Sequence, residues 1–461
     1  MARFDAIVIG SGQAGNPLSQ KLADHGWTVA LIEKENLGGT CVNTGCTPTK
    51  TMIASAQVAH YARNAGKWGV RGGETSVDLP AIVHHKDEVV RQWRAGVEKK
   101  VQDRPNLHLY RRQARFVGPN RLRVGDQDLE GERIFINTGT RVAVPRLEGL
   151  DKVDYLTNAS IMELTQMPEH LVVLGGGYIG LEFGQMFRRF GSRVTVVHNG
   201  ENILPREDSD ISAELAKALE AEGIRFMLNA QTTRVAKQNG EVVLQLQAGG
   251  NVRGSHLLVA TGRRPNTDDL GLETAGVQID GKGFIRVNNR LETNVPGIWA
   301  LGDIKGGPAF THISYNDYQI VYANLIEGKQ LTTDNRIVPY AVFTDPQLGR
   351  VGLTEKEARA TGRRLKIGKI PMGWVARAIE RNETAGLMKL VVDADNDRIL
   401  GAAILSTEGG ELVQILHAVM LAGAPYTLLK GAIYIHPTLA EGFWTLMDQV
   451  KPADPPAKSA P

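Results

Sequence analysis

Residues 4–9 (FDAIVI) form an apolar run of strand length that breaks off at Gly10-Ser11-Gly12-Gln13-Ala14-Gly15. A helical stretch follows over 17–25, closed by Gly26, and then a second apolar run, 27–32, ends in Glu33. Strand, glycine turn, helix and a second strand ending in an acid is the layout of a dinucleotide-binding βαβ unit. Gly10, Gly12 and Gly15 permit the tight turn and the close approach of backbone to a pyrophosphate, and the helix amino terminus faces the phosphates. Glu33 stands where a carboxylate accepts hydrogen bonds from a ribose. The unit then recurs. Residues 171–174 lead into Gly175-Gly176-Gly177-Tyr178-Ile179-Gly180, a helix through Phe190, and a strand over 193–197 that ends at His198-Asn199. Such a chain is expected to be α/β, with two Rossmann-like domains and two nucleotide sites.

Each unit is followed by a strand ending in Thr-Gly: 134–140 (IFINTGT), with Thr138 and Gly139, and 257–263 (LLVATGR), with Gly262. A glycine there lets the chain pass close to a bound cofactor. A third such strand, 298–303 (IWALGD), ends at Asp303, an acid able to take a sugar hydroxyl. After about residue 336 short β-branched stretches such as 387–393 alternate with helices such as 410–421, with no further glycine fingerprint. This texture predicts an α+β domain. From Lys451 the chain is rich in Pro and Ala (KPADPPAKSAP) and is expected to be disordered.

A length of 461 residues fits roughly three domains. The net charge of +3 gives no reason to expect a nucleic-acid partner. No apolar run approaches the roughly 18–20 residues that span a bilayer. The amino terminus, MARFDAIVIG, lacks the pattern of a secretory signal, so a cytoplasmic protein without membrane partners is expected.

The only two cysteines lie within 38–50, GGTCVNTGCTPTK. Intracellular thiols are kept reduced, so the pair is not read as a stability framework. A disulfide closing so small a loop would in any case remove little unfolded-state entropy. No other cysteine exists to complete a tetrahedral zinc set, and the eleven histidines are scattered. Cys41 and Cys46, placed at the start of one helix with Lys50 just beyond, fit a dithiol that cycles between oxidised and reduced forms.

Together these motifs resemble the class I flavoprotein disulfide reductases, also called pyridine nucleotide-disulfide oxidoreductases. That family includes glutathione reductase, dihydrolipoamide dehydrogenase, mycothione reductase and mercuric reductase. The resemblance spans residues 1 to about 450 in the family's order: FAD fingerprint, cysteine pair, NAD(P) fingerprint, Gly302-Asp303 segment, interface domain. It implies that 1–142 and 266–335 bind FAD, 143–265 binds NAD(P), 336–450 forms a dimer interface, and 451–461 is a tail. It also implies a relay in which NAD(P)H reduces FAD, FAD reduces the Cys41–Cys46 disulfide, and the dithiol reduces a small disulfide or sulfur-reactive substrate.

By the family pattern Cys46 lies nearer the flavin as the charge-transfer thiolate, and Cys41 is the interchange thiol. Lys50 reaches the flavin and pairs with Glu182, while Tyr178 covers the flavin face until nicotinamide displaces it. Gly39 and Thr40 join Gly10, Gly12, Gly15, Glu33, Thr138, Gly139 and Asp303 on the FAD side. Gly175, Gly177, Gly180, His198, Asn199 and Gly262 belong to the NAD(P) side. His436, in 435–441 (IHPTLAE), is implied to be the acid/base for Cys41, oriented by Glu441. The family supplies that pair from the opposite subunit of a homodimer. No metal is expected.

Within the family several features discriminate. No cysteine follows Cys46 and His436 is retained, both of which weaken a mercuric reductase-like reading. Dihydrolipoamide dehydrogenases carry an acid where this chain has His198, and its loss removes a repulsion toward a 2′-phosphate, with Arg193 or Arg206 as possible partners. Gly180 pulls toward NADH; NADPH is favoured on balance. The Pro48-Thr49-Lys50 flank resembles mycothione reductases and bacterial reductases of hypothiocyanous and reactive halogen species. No arginine is clearly placed to hold a glutathione carboxylate. The alternatives are a mercuric reductase-like or dihydrolipoamide dehydrogenase-like enzyme, a docked subunit of a larger complex, or an FAD redox sensor without turnover. The full set of Cys41, Cys46, Lys50, Glu182, His436 and Glu441 favours an enzyme.

Overall fold

The computed structural model describes residues 1–454. The strand Ala2–Ile9 is buried along its second half because parallel neighbours flank it on both sides, Val29–Ile32 and Gln127–Ile136. Strands with neighbours and helices on all sides read as continuous apolar runs, which is the pattern FDAIVI carries. Leu107–Tyr110 extends this sheet beyond Val29–Ile32, and Ile298–Ala300 joins it in parallel alongside Gln127–Ile136. Arg121–Val124 and Ala114–Gly118 complete the other edge as an antiparallel ribbon.

The second glycine unit repeats the plan on a smaller scale. Its parallel sheet runs Ile224–Met227, Arg193–Val197, His170–Leu174, His256–Val259. A three-stranded antiparallel layer, Thr232–Gln238, Glu241–Leu246 and Asn251–Gly254, lies beside it. The exits of the two units meet in a two-stranded link, where Thr140–Val142 pairs with Arg263–Pro265.

The C-terminal region is a six-stranded antiparallel sheet, in the order Pro339–Val342, Gln347–Gly352, Ile399–Ser406, Leu387–Asp393, Leu365–Pro371, Lys451–Pro452. The helix Gly409–Leu421 lies so close over it that a Cβ on Gly349 would sit 2.0 Å from the Gly409 carbonyl oxygen. The last strand corrects the expectation of a disordered tail from Lys451. Lys451 and Pro452 pair with Leu365–Pro371, and Ala453 N donates to Leu365 O at 2.9 Å, so this end belongs to the sheet; residues 455–461 lie outside the described part. Proline is tolerated there because the strand is an edge.

Buried ions fasten the three regions together. Arg189, 5% exposed, donates to Glu222 from Nε and Nη2 and to Asp345 at 2.7 Å, and it also bonds Gln57 of the long helix that begins at Cys46. Lys389, 2% exposed, is held by Glu355 at 2.8 Å, Asp210 at 3.1 Å and Asp208 at 3.2 Å. Stripping a partner from such a set leaves a desolvated charge, a loss of about 3–5 kcal/mol.

Candidate active site

The first fingerprint folds into a turn that no side chain could share. A Cβ on Gly10, at φ +97°, would stand 2.4 Å from the Asn137 carbonyl oxygen, and one on Gly15 would stand 2.0 Å from Gly10 O. Gly15 opens the helix Gly15–Asp24, whose free amino-terminal N–H groups favour an anion. Glu33 is steadied at the end of its strand: Oε2 accepts from Ser11 N at 3.0 Å and Ser11 Oγ at 2.8 Å, and Oε1 accepts from Glu35 N. Asp303 accepts from Thr140 Oγ1 at 2.9 Å. Gly10, Gly12, Glu33, Gly39, Thr40, Thr138, Gly139 and Asp303 all line one cavity of about 1400 Å³. A close-approach glycine cradle at a helix amino terminus, with two acids set along the same cavity, fits FAD.

Cys41, Cys46, Lys50, Tyr178 and Glu182 line the same cavity. The two cysteines do not share a helix, contrary to expectation. Cys41 lies in the short helix Gly39–Asn43, and Cys46 is the first residue of Cys46–Asn64. Thr44 and Gly45 break the run, Gly45 at φ −134°, ψ −118°, where a Cβ would meet Thr40 O at 2.8 Å. The break gives each cysteine a helix start of its own, which favours thiolate at Cys46. Both are free thiols, and each is the strongest influence on the acidity of the other.

The two sulfurs are driven apart in acidity. Cys46 falls to about 6, drawn down by the bond from Cys41, by Thr311 and by the charge of Lys50, against burial and the charge of Glu182. Cys41 is pushed well above the usual thiol range because it keeps the shared proton and is partly desolvated. Thr311 Oγ1 lies 3.3 Å from Cys46 Sγ and opens the helix Thr311–Ile326. Lys50 Nζ stands 2.8 Å from Glu182 Oε2 and 4.6 Å over the Phe343 ring. Glu182, 4% exposed, uses its other oxygen to accept from Phe343 N at 2.9 Å. Tyr178 opens the helix Tyr178–Phe190, and burial pushes its phenol up to about 12.

The second fingerprint mirrors the first. A Cβ on Gly175 would lie 2.4 Å from Ala260 O, and one on Gly180 would lie 2.3 Å from Gly175 O. Gly177 and Gly262 have nothing within 4 Å on that side, which leaves backbone open to a ligand. The His198 ring packs on Gly176 and Gly200, and its buried Nε2 has no hydrogen-bond partner among the described residues. Asn199 is exposed beside it. Arg193 must be withdrawn as a partner for a 2′-phosphate. It begins the strand that ends just before His198, roughly 16 Å away at strand rise, and pairs with Glu169 at 2.7 Å. Arg206 is exposed in the following loop.

His436 is not at the cysteines of its own chain. Its Nδ1 lies 3.0 Å from both oxygens of Glu441, its side chain is 70% exposed, and neither residue lines the cavity. The Glu441 hydrogen bond holds the imidazole above its usual range. Exposed apolar side chains stand on the same region: Ile433, Ile435, Trp374 and Trp444.

Sequence reasoning missed several of these groups. Asn137, 6% exposed, accepts from Gly15 N at 2.8 Å and donates to Leu301 O at 2.8 Å, tying the fingerprint turn to two strand ends. Its signal was its place directly before Thr138-Gly139 in FINTGT. Thr311 and Phe343 had no local signal, because they meet Cys46 and Lys50 only through the tertiary fold.

Comparison with known proteins agrees with this geometry. Residues 4–317 match the family model described as pyridine nucleotide-disulphide oxidoreductase, and 338–447 match its dimerisation domain. The chain is 38% identical to the probable pyridine nucleotide-disulfide oxidoreductase RclA of Escherichia coli, over 98% of this chain and all of that protein. It is 36% identical to a dihydrolipoyl dehydrogenase of Thermus scotoductus, over 96% of each. A mercuric reductase of Lysinibacillus sphaericus is 34% identical, over 95% of this chain and 81% of that one. The solved HOCl-induced flavoprotein disulfide reductase RclA from Escherichia coli superimposes with a TM-score of 0.90, covering 97% of this chain and 100% of that chain. Two glycine cradles, one cysteine pair and a matched dimerisation domain in one chain make it a member of the pyridine nucleotide-disulfide oxidoreductase family, a flavoprotein disulfide reductase that uses NAD(P)H.

Proposed function

We propose that the enzyme works as a homodimer that takes electrons from NADPH, or NADH, and delivers them through Cys41 and Cys46 to a small disulfide or sulfur-reactive oxidant. The observation that carries this is the setting of the pair: Cys41 and Cys46 line one cavity with Tyr178, with Thr311 Oγ1 3.3 Å from Cys46 Sγ and the Lys50–Glu182 pair beside them, a setting that favours thiolate at Cys46. FAD, when bound, supplies the two-electron link between the nicotinamide and the cysteines. Cys46 holds the negative charge, supported by Thr311 and Lys50, while Cys41 holds the proton.

Cys41 turns nucleophile when a base removes that proton. His436, oriented by Glu441 and contributed by the other subunit, is the base in this reading. Cys41 Sγ attacks the substrate disulfide, and the displaced sulfur leaves with the proton from the imidazolium. Cys46 then attacks Cys41 Sγ, the protein disulfide forms, and the second product leaves as a thiolate that takes its proton from solvent. Lys50 and Glu182 keep opposite charges beside the thiolate, and Tyr178 guards the dinucleotide side. The absence of an acid at His198-Asn199 favours NADPH.

Anaerobic titration with NADPH and with NADH, followed by visible absorbance, tests the relay. A panel of glutathione disulfide, lipoamide, mycothiol disulfide, mercuric ion and hypothiocyanous acid would then identify the oxidant. Cu(II) joins the panel because a related RclA was solved as a Cu(II) complex. A long-wavelength charge-transfer band and rapid reoxidation by one compound are expected. Flavin reduction without that band would uncouple the cysteines from the cofactor and remove the proposal.

A further inference from the structure

The second Thr-Gly turn is followed by Arg263, a residue with no part in the scheme above. It begins the two-stranded link between the nucleotide units, in which Arg263 stands opposite Val142 and Pro265 opposite Thr140. Its side chain crosses to the first unit. Nε donates to Thr140 Oγ1 at 2.7 Å, and Nη2 donates to Thr140 O at 2.7 Å. Thr140 is 6% exposed, and its hydroxyl also lies 2.9 Å from Asp303 Oδ2.

The direction of these bonds is fixed by chemistry. An arginine can only donate, so Thr140 Oγ1 accepts from Arg263 and has one proton left to give. Asp303 as a carboxylate can only accept, so that proton goes to Oδ2. No carboxylate lies within ion-pair distance of Arg263 among the described residues; the positive charge meets its counterion through one hydroxyl. Asp303 Oδ1 has no protein hydrogen bond there, and Asp303 lines the large cavity, as do Arg263, Thr140 and Tyr178. The Tyr178 phenol feels the charges of both Arg263 and Asp303.

We propose that Arg263, Thr140 and Asp303 form a hydroxyl-bridged ion pair in which Arg263 and Thr140 are positioning residues for the carboxylate that grips an FAD sugar hydroxyl. This rests on the reading of Asp303 as an FAD ligand. The bridge saturates one oxygen of Asp303 and leaves the other for the cofactor. Because Arg263 belongs to the exit of the second unit, the bridge also ties the grip on FAD to the position of the nicotinamide-binding domain.

The test is FAD affinity of the dimeric enzyme, measured by fluorescence on reconstitution, together with KM for the nicotinamide cofactor. Arg263→Met and Thr140→Val should each weaken FAD binding about tenfold, the worth of one charge-assisted bond. The double variant should lose about the same factor, because both changes cut one chain. Thr140→Ser, which restores the hydroxyl, should recover most of the loss. A double variant weakened about a hundredfold would mean two independent contacts and would overturn the bridge. So would an Arg263→Met enzyme with normal FAD affinity and a raised KM, which would make Arg263 a dinucleotide ligand. Asp303→Asn separates the two layers. If it binds FAD normally, the reading of Asp303 falls and the proposal with it; if it alone binds weakly, only the bridge is refuted.

Discussion

Replacing Cys41 by alanine removes the largest influence on Cys46, the hydrogen bond from the neighbouring thiol. With its midpoint at about 6, Cys46 should be about nine-tenths thiolate at pH 7, and that charge is lost as pH falls through 6. A hydrogen bond to a charged group is worth about 1.5–3 kcal/mol, and one pKa unit about 1.4 kcal/mol, which brackets the shift at one to two units. Cys46 borders the open cavity, so solvent replaces part of the lost donor and the lower figure applies. The midpoint should therefore rise to about 7 and the thiolate fraction at pH 7 fall to about half. Thiolate ultraviolet absorbance of the reduced protein across pH 4–10, with alkylation rate as a second readout, measures it. Cys41→Ser supplies a hydroxyl donor in place of the thiol and should keep the wild-type midpoint. The reasoning is refuted if the alanine variant titrates like wild type, or if serine shifts the midpoint as far as alanine does.

Three further outcomes follow from the same geometry. Glu182→Gln removes a charge that opposes the thiolate and Lys50→Met removes one that supports it, so the Cys46 midpoint should fall in the first and rise in the second; equal signs in one titration series would contradict the assigned field. Asn137→Asp sets a carboxylate oxygen against Leu301 O, and FAD content after gel filtration should drop by about tenfold or more; stoichiometric flavin would show the turn is held otherwise. Lys389→Ala should cost about 3–5 kcal/mol in urea unfolding at pH 7. Burial resists ionisation of Asp210 and Glu355, but Lys369, Lys389 and Arg359 hold both below their usual range. Their stabilisation is thus present above the ordinary carboxylate pKa and lost as pH falls below it, so the variant should lose less than wild type between about pH 4.5 and about pH 2.

What the sequence made legible is what repeats locally. Both fingerprints appear in it because the turn is built from contiguous glycines, and the matching 2.4 Å contacts of Gly10 and Gly175 show why each had to be glycine. The strand Leu387–Asp393 was legible from its β-branched run. The kink between Cys41 and Cys46 was not, because Thr44 and Gly45 are compatible with either one helix or two until Gly45 meets Thr40. The Lys451–Pro452 strand was hidden for a different reason: its composition is that of a tail, and only the free edge of Leu365–Pro371 recruits it. Asn137, Thr311, Phe343 and Arg263 lie far in sequence from what they touch, so no window of the chain could have joined them.

The position of His436 poses the sharpest question about how a whole site is assembled. Within one chain this imidazole and its Glu441 partner stand apart from the cavity that holds Cys41, on a surface with Ile433 and Ile435 almost fully exposed. If the site is shared between subunits, two crippled chains can repair one another. A Cys41→Ser chain retains His436, and a His436→Gln chain retains Cys41; a dimer of one of each then holds one complete site and one doubly broken site. Random pairing in a symmetric dimer makes about half of all dimers mixed, so the mixture should recover about a quarter of wild-type turnover. Each variant alone should show little. If His436 served the cysteines of its own chain, no pairing could produce an intact site and the mixture would be as inactive as its parts. Co-expression with two affinity tags, followed by disulfide turnover of the doubly tagged fraction, decides between these arrangements, since that fraction should reach about half of wild-type activity in the first case and none in the second.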